Sequence, residues 1–344
     1  MNVPKLRFKE FNDQYKKLKY KDILKIKSGK DQKQVECPNG KYPILGTGGK
    51  IGETNNFLYD KPSVLIGRKG TINKPQYMET PFWTVDTLFY SHIFEPNIPK
   101  YLFYSFQNVN WKKYDESTGV PSLSSSTIEN VECHIPSIKE QTKIANFLSL
   151  LDKKIDLQTK KIEDLKLFNL CINNNLFNEN KMVKLKEICE CKSSTISLSD
   201  IEYDNGIYPI YGANGEIKKI NSYQHDEEYL AIIKDGAGVG KTIICNKKSS
   251  IIATLNALIP SDIPIYYFNE LIKRIDFSKY IVGSGIPHIY FKDYSNEKLH
   301  LHDEKERLLI NDLFKKISIK IELEKRKLYL LEKLKKGLMQ SMFV

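Results

Sequence analysis

Two long stretches of the chain carry apolar residues on a three–four spacing. In the first, Leu148, Leu151, Ile155, Ile162, Leu165, Ile172 and Leu176 fall on one series; in the second, Phe314, Ile317, Ile321, Leu328, Leu331, Leu338 and Met342 do. Such spacing draws one narrow apolar stripe down an α-helix. Gln158 and Glu324 interrupt the two stripes at equivalent points, as do Asn169 and Lys335. Ser137-Ile138-Lys139-Glu140, just after Pro136, has the form of a capping box, and Asp303-Glu304-Lys305-Glu306 repeats the acceptor-x-x-Glu pattern. No proline follows either start, so each stretch predicts a helix of about 40 residues, roughly 60 Å long. A stripe this narrow wants one partner helix, and the other copy is the obvious one. Antiparallel overlap would bring Gln158 and Glu324 together near the middle of the pair.

The rest of the chain has short apolar runs between turns. Ser63-Val64-Leu65-Ile66 precedes Gly67-Arg68-Lys69-Gly70, and Tyr229-Leu230-Ala231-Ile232-Ile233 precedes Lys234-Asp235-Gly236. These read as strands ending in tight cationic turns. Helices are predicted over 101–114 and 266–275. The landmarks recur at an offset of 166 residues: Tyr42-Pro43-Ile44-Leu45-Gly46 returns as Tyr208-Pro209-Ile210-Tyr211-Gly212, Gly49-Lys50-Ile51 as Gly215-Glu216-Ile217, and Gly119-Val120-Pro121-Ser122-Leu123 as Gly285-Ile286-Pro287-His288-Ile289. The predicted fold is α+β: a domain over 1–136, a helix over 137–177, a second domain over 178–302 and a helix over 303–344, with a polar bridge over 173–181. The helices are expected to pair as an antiparallel coiled coil with pseudo-two-fold symmetry.

Composition narrows the function. The 344 residues are 41% hydrophobic and 28% charged, and the formal net charge is +11. That balance favours a polyanion partner. No run reaches the ~18 apolar residues of a membrane span, and residues 1–10 lack a signal-peptide core; the expected compartment is the cytoplasm. The six cysteines make no CxxC pair, and the six histidines are scattered, so no metal site is predicted. Gly236-Ala237-Gly238-Val239-Gly240-Lys241-Thr242 imitates a phosphate-binding loop but has three residues between Gly236 and Gly240 where four are needed. The residues after it read as a strand rather than the required helix. Asp303-Glu304-Lys305 is a helix cap rather than a nuclease fragment. No catalytic residue is predicted, and no cofactor is expected on this chain.

Two inverted copies of one reader suit a duplex, whose strands run oppositely. Because the copies differ outside their landmarks, two different half-sites are expected, with the helical pair as a ruler between them. The candidate DNA contacts are Lys50, Arg68, Lys69 and Lys74 in the Gly-rich turns of the first copy, and Lys218, Lys219, Lys234 and Lys241 in the matching turns of the second. The candidate helix-pair interface is Leu148, Leu151, Ile155, Gln158, Ile162, Leu165 and Ile172 against Phe314, Ile317, Ile321, Glu324, Leu328, Leu331 and Leu338.

In this ordered set the chain resembles the specificity subunits of type I restriction–modification systems. The resemblance covers the whole chain. It rests on Tyr42-Pro43-Ile44 with Gly46, Gly67-Arg68-Lys69-Gly70, Trp83-Thr84-Val85-Asp86-Thr87-Leu88, and Ser117-Thr118-Gly119-Val120-Pro121 leading through Ile135-Pro136 to Glu140-Gln141-Thr142-Lys143-Ile144-Ala145. Gly283-Ser284-Gly285-Ile286-Pro287, leading to Glu306-Arg307, repeats the last of these. The resemblance implies a non-catalytic subunit that binds double-stranded DNA at a split target. It also implies two adenine-N6 methyltransferase subunits using S-adenosylmethionine and, in the restriction complex, two translocase–endonuclease subunits using ATP and Mg. Base-contacting residues diverge with target sequence, so the resemblance transfers none. A methyltransferase-only system and a structural adaptor with two interaction domains remain as alternatives; the adaptor predicts binding insensitive to salt.

Overall fold

The computed structural model describes residues 3–177, 181–201 and 205–344; residues 178–180 of the expected polar bridge lie outside them. The chain forms two compact units, Met1–Thr159 with Lys327–Val344, and Lys160–Arg326. Each long helix is therefore shared between units.

Unit 1 contains β1 (Lys16–Lys19), β2 (Leu24–Lys27), β3 (Tyr42–Gly46), β4 (Gly49–Thr54), β5 (Ser63–Gly67), β6 (Gln76–Met78), β7 (Trp83–Thr84), β8 (Leu88–Ile93), α1 (Pro99–Asn108), α2 (Ser125–Asn130), β9 (Glu132–Ile135) and the first part of α3 (Ile138–Leu176). Unit 2 contains the rest of α3, then β10 (Lys181–Lys184), β11 (Cys189–Ser193), β12 (Tyr208–Gly212), β13 (Gly215–Ile220), β14 (Tyr229–Ile233), β15 (Thr242–Cys245), β16 (Ser250–Ile251), β17 (Leu255–Pro260), α4 (Ile265–Ile272), α5 (Phe291–Tyr294), β18 (Lys298–Leu301) and the first part of α6 (Glu304–Met342). The sheets repeat strand for strand. Unit 1 has β1-β9, β2-β8-β5-β6 and β4-β3-β7; unit 2 has β10-β18, β11-β17-β14-β15 and β13-β12-β16. Even the register break recurs, between Ile44 and Leu45 and between Ile210 and Tyr211.

The strand chemistry follows position. β5 and β14 are inner strands buried on both faces, hence their unbroken apolar runs. β2, at a sheet edge, alternates buried Leu24 and Ile26 with exposed lysines. The helix expected over 101–114 is shorter and starts earlier: Pro99 occupies its first turn, where a missing N–H costs nothing. It ends at Asn108, and Trp111–Tyr114 is a separate 3-10 turn. Trp111 Nε1 donates to the Phe106 carbonyl at 2.7 Å, occupying an acceptor that a continuing helix would have used. Likewise α4 stops at Ile272, short of residue 275.

Asp303 caps α6, its Oδ1 accepting from Glu306 N at 2.9 Å. The box expected at Ser137 is only half formed. Ser137 Oγ accepts from Glu140 N at 3.4 Å, but the Glu140 carboxylate turns away. It receives both Nε and Nη2 of Arg7 at 2.8 Å and the Tyr15 hydroxyl at 3.0 Å, and is 1% exposed.

Within each unit the two helix segments run antiparallel. In unit 1, Ile144 and Leu148 of early α3 share a core with Leu338, Met339 and Met342 of late α6. In unit 2, Ile172 and Leu176 of late α3 share one with Ile310, Phe314 and Ile317 of early α6. Of the stripe residues, Leu148, Leu151, Gln158, Ile162, Phe314, Ile317 and Glu324 are buried; Ile155, Leu165, Ile172, Ile321, Leu328, Leu331 and Leu338 are half-buried. Glu324 receives Lys161 at 2.6 Å and Lys320 at 3.2 Å.

The other polar interruptions are where the domains dock. In unit 1, Lys335 pairs with Asp152 at 2.6 Å and lies over the ring of Tyr104, whose hydroxyl donates to Asp152 at 2.7 Å. In unit 2, Asn169 and Asn173 donate to Glu270 at 3.4 and 3.0 Å, and Arg274 donates to the Asn173 carbonyl at 3.0 Å. Tyr104 and Glu270 are equivalent positions of the repeat. The helix ends match too: Phe343 stacks on Tyr101 and Phe177 packs on Tyr267, each at 5.3 Å between ring centroids. The end of α6 therefore serves the first domain as the end of α3 serves the second.

Candidate nucleic-acid interface

The turn after β5 and the turn after β14 are each stitched to a loop far away in sequence. Gly70 N donates to the Pro121 carbonyl at 2.8 Å and Leu123 N to the Arg68 carbonyl at 2.9 Å, so Lys69 faces Ser122 across a short antiparallel bridge. In unit 2, Gly236 N donates to the Pro287 carbonyl at 2.9 Å and Ile289 N to the Lys234 carbonyl at 3.0 Å, and Asp235 faces His288. Gly70 and Gly236 hold φ at +87° and +95°, a region L side chains rarely enter, which is why both turns need glycine there. The glycine turn after the inner strand and the Gly-x-Pro loop are thus one structural object, made twice.

Three of the candidate cations lie on these turns: Arg68 and Lys69 are exposed on the first, and Lys234 is half-buried at the second. Lys241 is exposed just beyond Gly240, and Lys74 is exposed before β6. The remaining placements need correction. Lys50 lies in β4 and is ion-paired with Glu53. Lys218 and Lys219 are not in a turn at all; they lie inside β13, opposite Ile210 and Pro209. The Lys218 ammonium donates to the Ile201 carbonyl. The equivalent of Lys50 is Glu216. The second strands of the two hairpins, β4 and β13, therefore carry opposite charge at this position.

The loop at the first object is held by the Asp115 carboxylate. Asp115 Oδ1 accepts from Ser122 N at 2.9 Å, from Ser117 N at 3.0 Å and from Ser117 Oγ at 2.8 Å. These bonds, the Ser122 amide foremost, hold its carboxyl below the usual range. A depressed carboxyl favours the folded loop above its unfolded pKa, and the advantage is lost as pH falls through the folded value. Amide exchange at Ser122, corrected for its intrinsic rate, should therefore accelerate on acidification through the carboxylate range. In an Asp115→Asn chain the acceleration should vanish; persistence would contradict this account.

The region resembling a phosphate-binding loop opens onto a sheet edge. Gly240 N donates to Ile233 O at 2.9 Å, β15 follows directly, and Thr242 Oγ1 donates to Asn269 at 2.7 Å. His302 is internal: its Nδ1 meets the Tyr267 hydroxyl and its Nε2 the Leu176 carbonyl, both at 2.9 Å. Burial pushes the Cys133, Cys189 and Cys245 thiols up to about 12, which leaves them protonated and unreactive at neutral pH. The outward sides of the helices carry large apolar residues, among them Leu150, Leu157, Leu167, Leu309, Leu323 and Leu330, each more than half exposed. No helix among the described residues is long and apolar enough to cross a membrane.

The sequence profile described as "Type I restriction modification DNA specificity domain" matches this chain twice, over residues 12–167 and 178–333. The chain is 24% identical over 269 residues to the Mycoplasma pneumoniae (strain ATCC 29342 / M129 / Subtype 1) protein named as type I specificity subunit S.MpnORF638P, covering 69% of this chain and 70% of that one. It is 22% identical over 155 residues to the Escherichia coli type I restriction enzyme EcoDI specificity subunit, covering 44% of this chain but only 34% of that protein's length. In fold it is similar to the crystal structure of the type-I restriction-modification system S subunit from M. genitalium, with a TM-score of 0.76 over 99% of both chains at 18% identity.

Proposed function

Since the chain belongs to the type I restriction–modification specificity family, we propose that each of its domains reads one half of a split, asymmetric DNA target and that the chain delivers catalytic subunits to that target. The observation that carries this reading is the turn-and-loop object made twice on sheets of the same strand order with different side chains: Arg68, Lys69 and Ser122 in one, Lys234, Asp235 and His288 in the other. A shared frame with divergent polar groups suits two half-sites of different sequence. The net charge of +11 supplies the sequence-independent attraction.

The partners follow from the same reading. Two adenine-N6 methyltransferase subunits using S-adenosylmethionine, and two translocase–endonuclease subunits using ATP and Mg, supply the chemistry. The exposed leucines on the outer sides of α3 and α6 suit helices of the methyltransferase subunits.

The test is selection of bound duplexes from a random pool by the full chain with its methyltransferase subunits. One split motif is expected; enrichment of no sequence would sink the proposal. In the same assay Arg68→Ala with Lys69→Ala should weaken binding about ten-fold and lower the salt slope by roughly two. An unchanged slope would remove those two residues from the interface.

A further inference from the structure

We propose that His288 is a base-reading residue of the second domain and that Asp235 is the residue that positions it. This rests on the DNA-reading function proposed above. Four observations converge on the pair. The two residues face one another across the bridge that joins the turn after β14 to the loop before α5, so their backbone is fixed from both sides. Val282 N and His288 N also exchange hydrogen bonds with each other's carbonyls at 2.9 Å, which closes the intervening residues into a tight loop. The imidazole is held sideways: Nδ1 is bonded to the Asp235 carboxylate, and the ring lies 4.1 Å from the ring of Tyr290. Finally, Val282, whose backbone pairs with His288, and Ile286, two residues before it, are exposed by 46% and 71% although apolar.

The chemistry follows from the tautomer. In the neutral tautomer that donates its Nδ1 hydrogen to the carboxylate, the ring presents a lone pair at Nε2, which is an acceptor. In the major groove the matching donor is an exocyclic amino group, on adenine N6 or cytosine N4. Its location tells one strand from the other at that base pair. The exposed apolar neighbours suit a thymine methyl beside it. In the first copy the equivalent pair is Lys69 and Ser122, which offers a cation and a hydroxyl instead. The two domains thus share a mount and differ in the group mounted on it.

The experiment is motif selection with the full chain and its methyltransferase subunits, comparing the unaltered chain with His288→Ala and Asp235→Asn. His288→Ala should relax one base pair of the half-site read by the second domain, losing about ten-fold or more in discrimination there, with the other half-site unchanged. Asp235→Asn should relax the same base pair to a smaller degree. If the unaltered chain selects a split motif and His288→Ala selects the same motif, the inference is wrong. A uniform loss of affinity for every sequence would also overturn it, because that is the signature of a structural pair. If the unaltered chain selects no motif, the reading beneath it fails instead.

Discussion

Phe343→Ala should loosen the first domain and leave the second intact, and Phe177→Ala should do the reverse. The two phenylalanines are equivalent positions at the ends of the two long helices, and each packs on the equivalent tyrosine of a domain helix. Phe177 is fully buried and Phe343 is 8% exposed. Removing such a ring costs about 3–5 kcal/mol, from lost transfer energy and from the cavity left behind. Amide exchange in the inner strands reports each domain separately: β5 for the first, β14 for the second. Loss of protection in both strands from either single substitution would show that the cores are not independent.

Arg7→Met should destabilise unit 1 by about 3–5 kcal/mol, because it strands a charge rather than removing a surface ion pair. Glu140 is 1% exposed, and the Arg7 guanidinium makes two of its three side-chain bonds. The bidentate bond that Arg7 donates to Glu140 also raises the pKa of Arg7, as expected of a guanidinium stabilised in its charged form. With Arg7 gone, the Tyr15 hydroxyl alone faces the carboxylate. Glu140→Met in the same chain should recover part of the loss, since the unpaired charge is then absent. A double-mutant cycle read by denaturant unfolding of unit 1 should give a coupling above roughly 1 kcal/mol. Simple additivity would show that the two groups act separately.

The parts of this fold that sequence reveals are those governed by local periodicity. The three–four stripe announces both helices, since a helix repeats its contacts within a few residues. The repeated glycine turns announce the sheets of both domains. What sequence hides is governed by distant partners. Glu140 looks like half of a capping box, but Arg7 claims it from the other end of the first domain. Asn169 and Lys335 look like breaks in a seam; their explanation is Glu270 and Tyr104, on helices elsewhere in the chain. Lys218 and Lys219 look like turn residues because the hairpin precedes them, yet β13 continues through both. Lys69 with Ser122, and Asp235 with His288, become neighbours only through a bridge closed across some fifty residues. One signal for that bridge was legible: a glycine turn and a Gly-x-Pro loop recurring together.

The placement of Phe343, Met342 and Met339 in the core of the first domain also sets an order of events during synthesis. Unit 2 is one contiguous stretch, Lys160–Arg326, and has all its parts once that stretch has left the ribosome. Unit 1 begins earlier and finishes later, since it needs Lys327–Val344. At 5–20 residues per second, the nascent first domain waits roughly 10–40 s with its Tyr101 face uncovered. The domain made first is therefore the one completed last.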